Sequence, residues 1–105
     1  MQRGDIHELR LPDRGGHEQA GKRFGVIVQA DAMLPRSVVL LAPTSLSARA
    51  ASFRPVVVVR GKSTRVLVEQ VGAVDVSRLG KRVGHASIEE LWAIDDCLMT
   101  VLGLR

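Results

Sequence analysis

Four apolar, β-branched runs, each too short for a helix, constrain this chain most. Gly25-Val26-Ile27-Val28-Gln29, Ser37-Val38-Val39-Leu40-Leu41-Ala42, Pro55-Val56-Val57-Val58-Val59 and Thr64-Arg65-Val66-Leu67-Val68-Glu69 are each bounded by loop-forming or charged residues. Valine and isoleucine side chains are stiff at χ1 and suit a pleated surface, so the runs predict strands. The first two read as buried strands. The last two flank Arg60-Gly61-Lys62-Ser63 and predict a hairpin. A shorter strand is expected at residues 6–11, and a last one at 81–86. Residues 12–23, with Pro12, Gly15, Gly16 and Gly21 among charges, predict a long loop.

The period changes after residue 86. Ser87-Ile88-Glu89-Glu90 fits a capping box, in which the serine and the glutamate satisfy each other's backbone N–H groups. Leu91, Ile94, Leu98, Val101 and Leu102 then recur at helical spacing, Trp92 lies off that stripe, and Gly103 stands where a helix stops. Asp75 reads as the cap of a brief helical turn ahead of Arg78. Strands followed by one helix predict a small, curled, mainly antiparallel β fold of the α+β kind. At 105 residues the chain fits one domain, 1–105.

Fifteen lysines and arginines against eleven acids give a formal charge of +4, which favours an anionic partner. With one cysteine, Cys97, and three histidines, neither an internal disulfide nor a zinc framework is expected. No apolar run reaches the length that spans a bilayer; a cytoplasmic protein with no membrane association is expected. Phe24, Phe53 and Trp92 are the only aromatic residues, too few for a nucleic-acid module built on rows of stacking rings.

Several segments resemble the MazF/PemK-type toxin family in order and spacing. Arg3-Gly4-Asp5-Ile6 is similar to the family's opening, and Gly16-His17-Glu18-Gln19-Ala20-Gly21-Lys22-Arg23 to its signature loop. Ala42-Pro43-Thr44-Ser45 is similar to a strand end of the family. Glu69-Gln70-Val71, with Val74-Asp75-Val76-Ser77-Arg78-Leu79, resembles a later segment. Together with Val101-Leu102-Gly103-Leu104 the likeness runs over nearly the whole chain. It departs at Phe24, where a proline is usual, at His7, where a tryptophan is usual, and at Gly72 and Ala73, where arginine and threonine are usual.

The resemblance implies an SH3-like, PemK-type barrel of five to seven short strands with a C-terminal helix. It implies a homodimer that cuts single-stranded RNA sequence-selectively, without metal or other cofactor. A cognate antitoxin with a flexible acidic tail would hold it in check. RNA carries its own nucleophile, the 2′-OH, so the protein need only align the groups, move protons and stabilise growing phosphoryl charge.

Arg23 is the first catalytic candidate, because a guanidinium matches phosphate geometry and keeps its charge. Thr44 is the second, as a hydroxyl donor, with Ser45 beside it. Glu69 has three readings: a base toward the 2′-OH, a partner of a nearby arginine, or a reader of an RNA base. His17 is the conventional acid–base candidate, titrating near neutrality. Glu18, Gln19, Lys22, Gln70, Arg49, Arg54 and Lys62 are candidate RNA contacts, with Arg14 and Arg65 as further phosphate-tracking charges. Two alternatives carry other expectations. A non-catalytic SH3-like binding module would grip RNA or peptide without cutting. A CcdB-like gyrase poison would have no use for Arg23 or Thr44.

Overall fold

The computed structural model describes residues 1–10 and 23–104. Seven strands run in the order β1 (Asp5–Leu9), β2 (Arg23–Ile27), β3 (Val38–Ser45), β4 (Val56–Val59), β5 (Lys62–Val66), β6 (Gly72–Asp75) and β7 (Leu79–His85); helix α1 spans Ile88–Val101. All pairings are antiparallel. The main path is β4-β5-β3-β2-β1-β7, with β6 on β3. The mainly-β architecture with a C-terminal helix therefore stands as expected.

β3 is the hub. On one side it pairs with β2, through Ile27↔Leu41 and Gly25↔Pro43. On the other it pairs first with β6, through Val38↔Asp75 to Leu41↔Gly72, and then with β5, through Thr44↔Val66 and Ser45↔Arg65. One eight-residue strand thus feeds two successive partners along the same edge, and the sheet curls.

Because successive side chains point to opposite faces of a strand, the apolar runs build two cores. Ile6, Val26, Ala42, Val57, Val59, Val66 and Val68 pack with Ile94 and Cys97 of α1. The alternate residues Leu9, Ile27, Val39 and Leu41 form the second cluster, against Leu34, Val74, Val76 and Leu79. The middle of β3 is buried on both faces, but its beginning is not: Val38 is 46 % and Leu40 45 % exposed. That corrects the expectation of a fully buried strand. Val56 and Val58 of β4 also face outward while Val57 and Val59 face in.

The hairpin is tighter than the Gly-containing stretch predicts. Val59 pairs directly with Lys62, leaving a two-residue turn with Arg60 at φ 51° and Gly61 at φ 78°. Positive φ at both central residues matches the right-handed twist of the flanking strands, and glycine takes it without cost. Glu69 lies not in a strand but in a 3-10 turn, Val68–Gln70. β6 was not foreseen, and β7 starts earlier than expected, at Leu79.

The ends of α1 form as the sequence predicts. Ser87 and Glu90 make the reciprocal capping box, an arrangement worth about 1 kcal/mol. At the other end Leu104 N–H reaches the Met99 carbonyl and Gly103 N–H the Thr100 carbonyl, the two bonds of a Schellman stop. Ile94 and Cys97 are the buried side chains of the helix, whereas Leu102, assigned to the apolar stripe, is 54 % exposed. Asp75 caps the Val76–Arg78 turn by accepting from Ser77 N–H. Among the described residues no helix is long and apolar enough to cross a membrane.

Candidate active site

Arg23 is the first residue of β2 rather than the last of a loop, and it pairs with Leu9 of β1. The β2–β3 register runs through Val26↔Ala42 and Gly25↔Pro43. Its continuation brings the start of β2 alongside the end of β3, where Thr44 Oγ1 donates to the Phe24 carbonyl at 3.2 Å. Arg23, Thr44 and Ser45 therefore share one end of the central strands.

Thr44 and Ser45 are presented differently. Thr44 is 2 % exposed, so its hydroxyl is not open at the strand end in the way that reading expects. A hydroxyl has one proton to give, and here it goes to the strand bearing Arg23. Ser45, next along the strand and so on the other face, is half-buried and lies 3.4 Å from Ser47 Oγ.

β5 carries the site outward. Leu67 N–H bonds the Pro43 carbonyl at 2.8 Å, which seats the Val68–Gln70 turn beside the end of β3. From that turn Glu69 meets Arg54: Nε lies 2.8 Å and Nη2 2.6 Å from Oε2. Of the three readings of Glu69, pairing with an arginine is the arrangement seen. Both side chains are about a quarter exposed. The remaining oxygen, Oε1, is buried with no hydrogen-bond partner among the described residues.

Arg54 also donates from Nη1 to the Arg49 carbonyl, and its guanidinium carbon lies 5.6 Å from the centroid of the Phe53 ring. Arg65 Nη1 in turn donates to the Arg54 carbonyl. The expected RNA contact Arg54 thus serves as an internal tie between its own loop and the Glu69 turn. Arg49 is exposed close by, and Gln70 is exposed next to Glu69. Lys62 stands apart at the hairpin tip, three residues and so roughly 10 Å along β5 from Arg65. His17, Glu18, Gln19 and Lys22 lie outside the described residues, as does Arg14.

A second cluster, at the β1–β7 edge, involves none of the residues that the sequence singles out as candidates. Asp5 on β1 accepts from His85 and Arg82 on β7 and from the Gln2 backbone. No local motif announces it, since the partners come together only through β1–β7 pairing. Among the described residues no group of three or more His, Cys, Asp or Glu side chains is placed to hold a metal ion.

Comparison with known proteins places the chain by family and fold. The family model described as PemK-like, MazF-like toxin of type II toxin–antitoxin system matches residues 2–102. A Mycobacterium tuberculosis protein named as a presumed toxin is 35 % identical over 104 residues, covering 97 % of both chains. Among solved structures, a mycobacterial endoribonuclease in complex with its cognate antitoxin superposes with a TM-score of 0.81. It is 19 % identical, covering 100 % of this chain and 97 % of that one. The Mycobacterium tuberculosis toxin MazF-mt6 gives 0.79 at 17 % identity, over 96 % of this chain and 98 % of its own.

Proposed function

Since the chain belongs to the PemK-like, MazF-like toxin family of type II toxin–antitoxin systems, we propose that it is an endoribonuclease cutting single-stranded RNA by attack of the RNA's own 2′-OH. The observation that supports this most is the placement of Arg23, Thr44 and Ser45 at one end of the paired strands β2 and β3, with the Arg54–Glu69 pair on the turn seated against β3.

In this reading Arg23 binds the scissile phosphate and stabilises the charge that grows on its oxygens. With a pKa above about 12 a guanidinium parts with a proton reluctantly, so its service is electrostatic. Thr44 holds β2 in place through the Phe24 carbonyl; a direct contact with a phosphoryl oxygen requires its proton to turn from that carbonyl. Ser45 is the neighbouring hydroxyl donor. Glu69, or His17 from the signature loop, takes the 2′-OH proton. Arg49, Arg54, Lys62 and Gln70, with Glu18, Gln19 and Lys22, track the RNA strand. The products carry a 2′,3′-cyclic phosphate and a 5′-OH, and no metal takes part.

The active form is a cytoplasmic homodimer, inhibited by an antitoxin whose acidic tail lies along the residues that track RNA. A net charge of +4 and a structural neighbour solved with its cognate antitoxin support that partner. The outward-facing Val38 and Leu40 offer apolar surface for a second copy. Incubating the purified chain with a long RNA and mapping cut ends at nucleotide resolution tests the proposal. Discrete internal cuts with 5′-OH ends are expected, and RNA that is bound but never cut would make the protein a binding module instead.

A further inference from the structure

The main path of the sheet ends in two strands, β4 and β7, and among the described residues no further strand pairs with the outer side of either. An open edge presents backbone N–H and C=O groups to any strand that arrives, and proteins blunt it with bulges, charges or a covering group. β7 is blunted in two of these ways. Its register against β1 slips twice, and it carries exposed Lys81 and Arg82. β4 has neither device. It is Val56-Val57-Val58-Val59 in unbroken register with β5, and its outward side chains are uncovered, Val56 at 41 % and Val58 at 56 % exposure.

One bond fixes which backbone groups of β4 point to the open side. The Pro55 carbonyl accepts from Val66 N–H at 2.8 Å. Pro55, Val57 and Val59 therefore hold the hydrogen-bonded positions toward β5, and Val56 and Val58 between them turn their N–H and C=O groups outward. Val58 N–H meets Glu90 of α1, whose Oε2 lies 2.8 Å away. The other oxygen, Oε1, accepts from Ser87 N–H in the capping box. The box is complete with that bond and its reciprocal. The contact with Val58 is thus additional to what holds the helix start, and it sets a carboxylate where a further strand would set a carbonyl.

The strand that matches this edge is β4 of a second copy. Antiparallel pairing about a two-fold axis at Val57 sets Val56 opposite Val58 of the second copy, and Val58 opposite its Val56. The outward groups then face each other and make four backbone bonds. Every cross-strand pair is valine on valine, a kind that stabilises a sheet, and no like charges stand opposite one another. Glu90 takes the Val58 donor in each copy, which removes two of the four bonds, and it turns a negative oxygen toward the Val56 carbonyl that would have accepted. We infer that Glu90 is an autoinhibitory contact: its carboxylate on Val58 N–H closes the β4 edge to pairing with β4 of a second copy. The inference rests on none of the catalytic assignments and concerns a surface other than that of Val38 and Leu40.

The test compares full-length wild type, Glu90→Ala, Ser87→Ala and Glu90→Ala/Val58→Pro by sedimentation velocity over a concentration series. Ser87→Ala removes the serine's half of the cap and not the carboxylate. Proline at 58 removes the outward donor and is tolerated on an edge whose N–H faces away from the sheet. Glu90→Ala should associate beyond the wild type's own state at about tenfold lower concentration. Ser87→Ala should match the wild type, and the double variant should return to it. No added association by folded Glu90→Ala overturns the inference. So does equal association by Ser87→Ala, or association that survives Val58→Pro. Amide exchange of the wild type needs no variant: in dilute solution Val58 N–H should exchange at least about tenfold more slowly than Val56 N–H, which faces the same edge. Equal exchange of the two would mean that Glu90 does not close the edge, and would overturn the inference as well.

Discussion

Nδ1 of His85 lies 2.8 Å from Oδ1 of Asp5, joining the last residue of β7 to the first of β1. The Asp5 residue is 3 % exposed and also takes Arg82 Nε at 3.0 Å and the Gln2 N–H at 2.8 Å. Gly4 makes the approach possible. At φ +93°, a Cβ there would stand 3.1 Å from both His85 Cε1 and Leu91 Cδ1. The cluster therefore fastens the β1–β7 edge to the N-terminal turn, with Leu91 of α1 packed close to Gly4.

Burial pushes the Asp5 carboxyl up, but hydrogen bonds from His85, Arg82 and the Gln2 backbone, with the Arg82 charge, outweigh it and hold the pKa at about 2. A depressed folded-state pKa stabilises the fold above the unfolded value, near 3.9, and that stability is lost as pH falls toward 2. The expected contribution is about 2 kcal/mol. Urea unfolding at pH 5 and pH 2 should show the wild type losing that much more than Asp5→Asn, which has no carboxylate to protonate. Equal losses in the two proteins would remove Asp5 from the account of acid sensitivity.

Arg23→Ala should slow RNA cleavage on the order of a hundredfold while the fold survives. Arg23 is a half-buried strand-end residue, and losing a charge-assisted contact to the transition state costs about 3 kcal/mol, or on the order of a hundredfold. Thr44→Ala should lose much of the rate, and Thr44→Ser should keep more of it, because serine can still donate to the Phe24 carbonyl. Single-turnover cleavage by folded variants measures this; wild-type rates for Arg23→Ala would refute the central assignment.

Arg54 and Glu69 should behave as a coupled pair. At about a quarter exposure the pair is only partly screened, so a double-mutant cycle with Arg54→Met and Glu69→Gln should give about 1 kcal/mol of coupling in unfolding free energy. Cleavage by Glu69→Gln separates the two candidate bases: a rate within about tenfold of wild type leaves the 2′-OH proton to His17. A fall of about a thousandfold in a stably folded Glu69→Gln protein would instead give Glu69 the role of general base.

The strands, the capped helix and the Asp75 turn are legible because each rests on local rules: β-branched runs, a capping box, an aspartate two residues before an N–H. What was missed needs the third dimension. β6, Gly72–Asp75, is only four residues long, with Ala73 and Val74 its apolar pair, and forms because β3 offers it an edge. The outward Val38 and Leu40 look like core in a run of five apolar residues, since composition cannot say which face of a strand is covered. Arg54 and Glu69 read as two independent functional charges. Only the Leu67–Pro43 bond, which seats the Glu69 turn beside β3, accounts for where their contact falls. The same holds for Thr44, whose burial follows from its place in the β2–β3 register.

The outer face of β3 supplies a test of self-association. If Val38 and Leu40 meet a second copy, Leu40→Glu places a charge in an apolar interface, and Leu40 N–H remains bonded to Gln29 Oε1 so the strand persists. Sedimentation should show wild type as a dimer at micromolar concentration and Leu40→Glu dissociating at least about tenfold more readily. A wild-type chain that sediments only as monomer would remove the dimer from the proposal, and an unperturbed Leu40→Glu dimer would move the interface elsewhere.

The nucleophile can be tested most directly. The chemistry proposed here needs a phosphate held by Arg23 and the RNA's own 2′-OH, and it gives a divalent cation no part in activating water. Cleavage should therefore persist in excess EDTA. A single 2′-deoxy substitution on the 5′ side of the scissile phosphate should stop cleavage with binding nearly unchanged, since one hydroxyl contributes little beside the phosphate contacts. End analysis should find a 2′,3′-cyclic phosphate on one fragment and a 5′-OH on the other. The deoxy strand separates this route from its rivals. A metal- or base-activated water attacks phosphorus whether or not the 2′-OH is present, so continued cutting of the deoxy strand, or loss of activity in EDTA, would require a different nucleophile and a different set of residues to activate it.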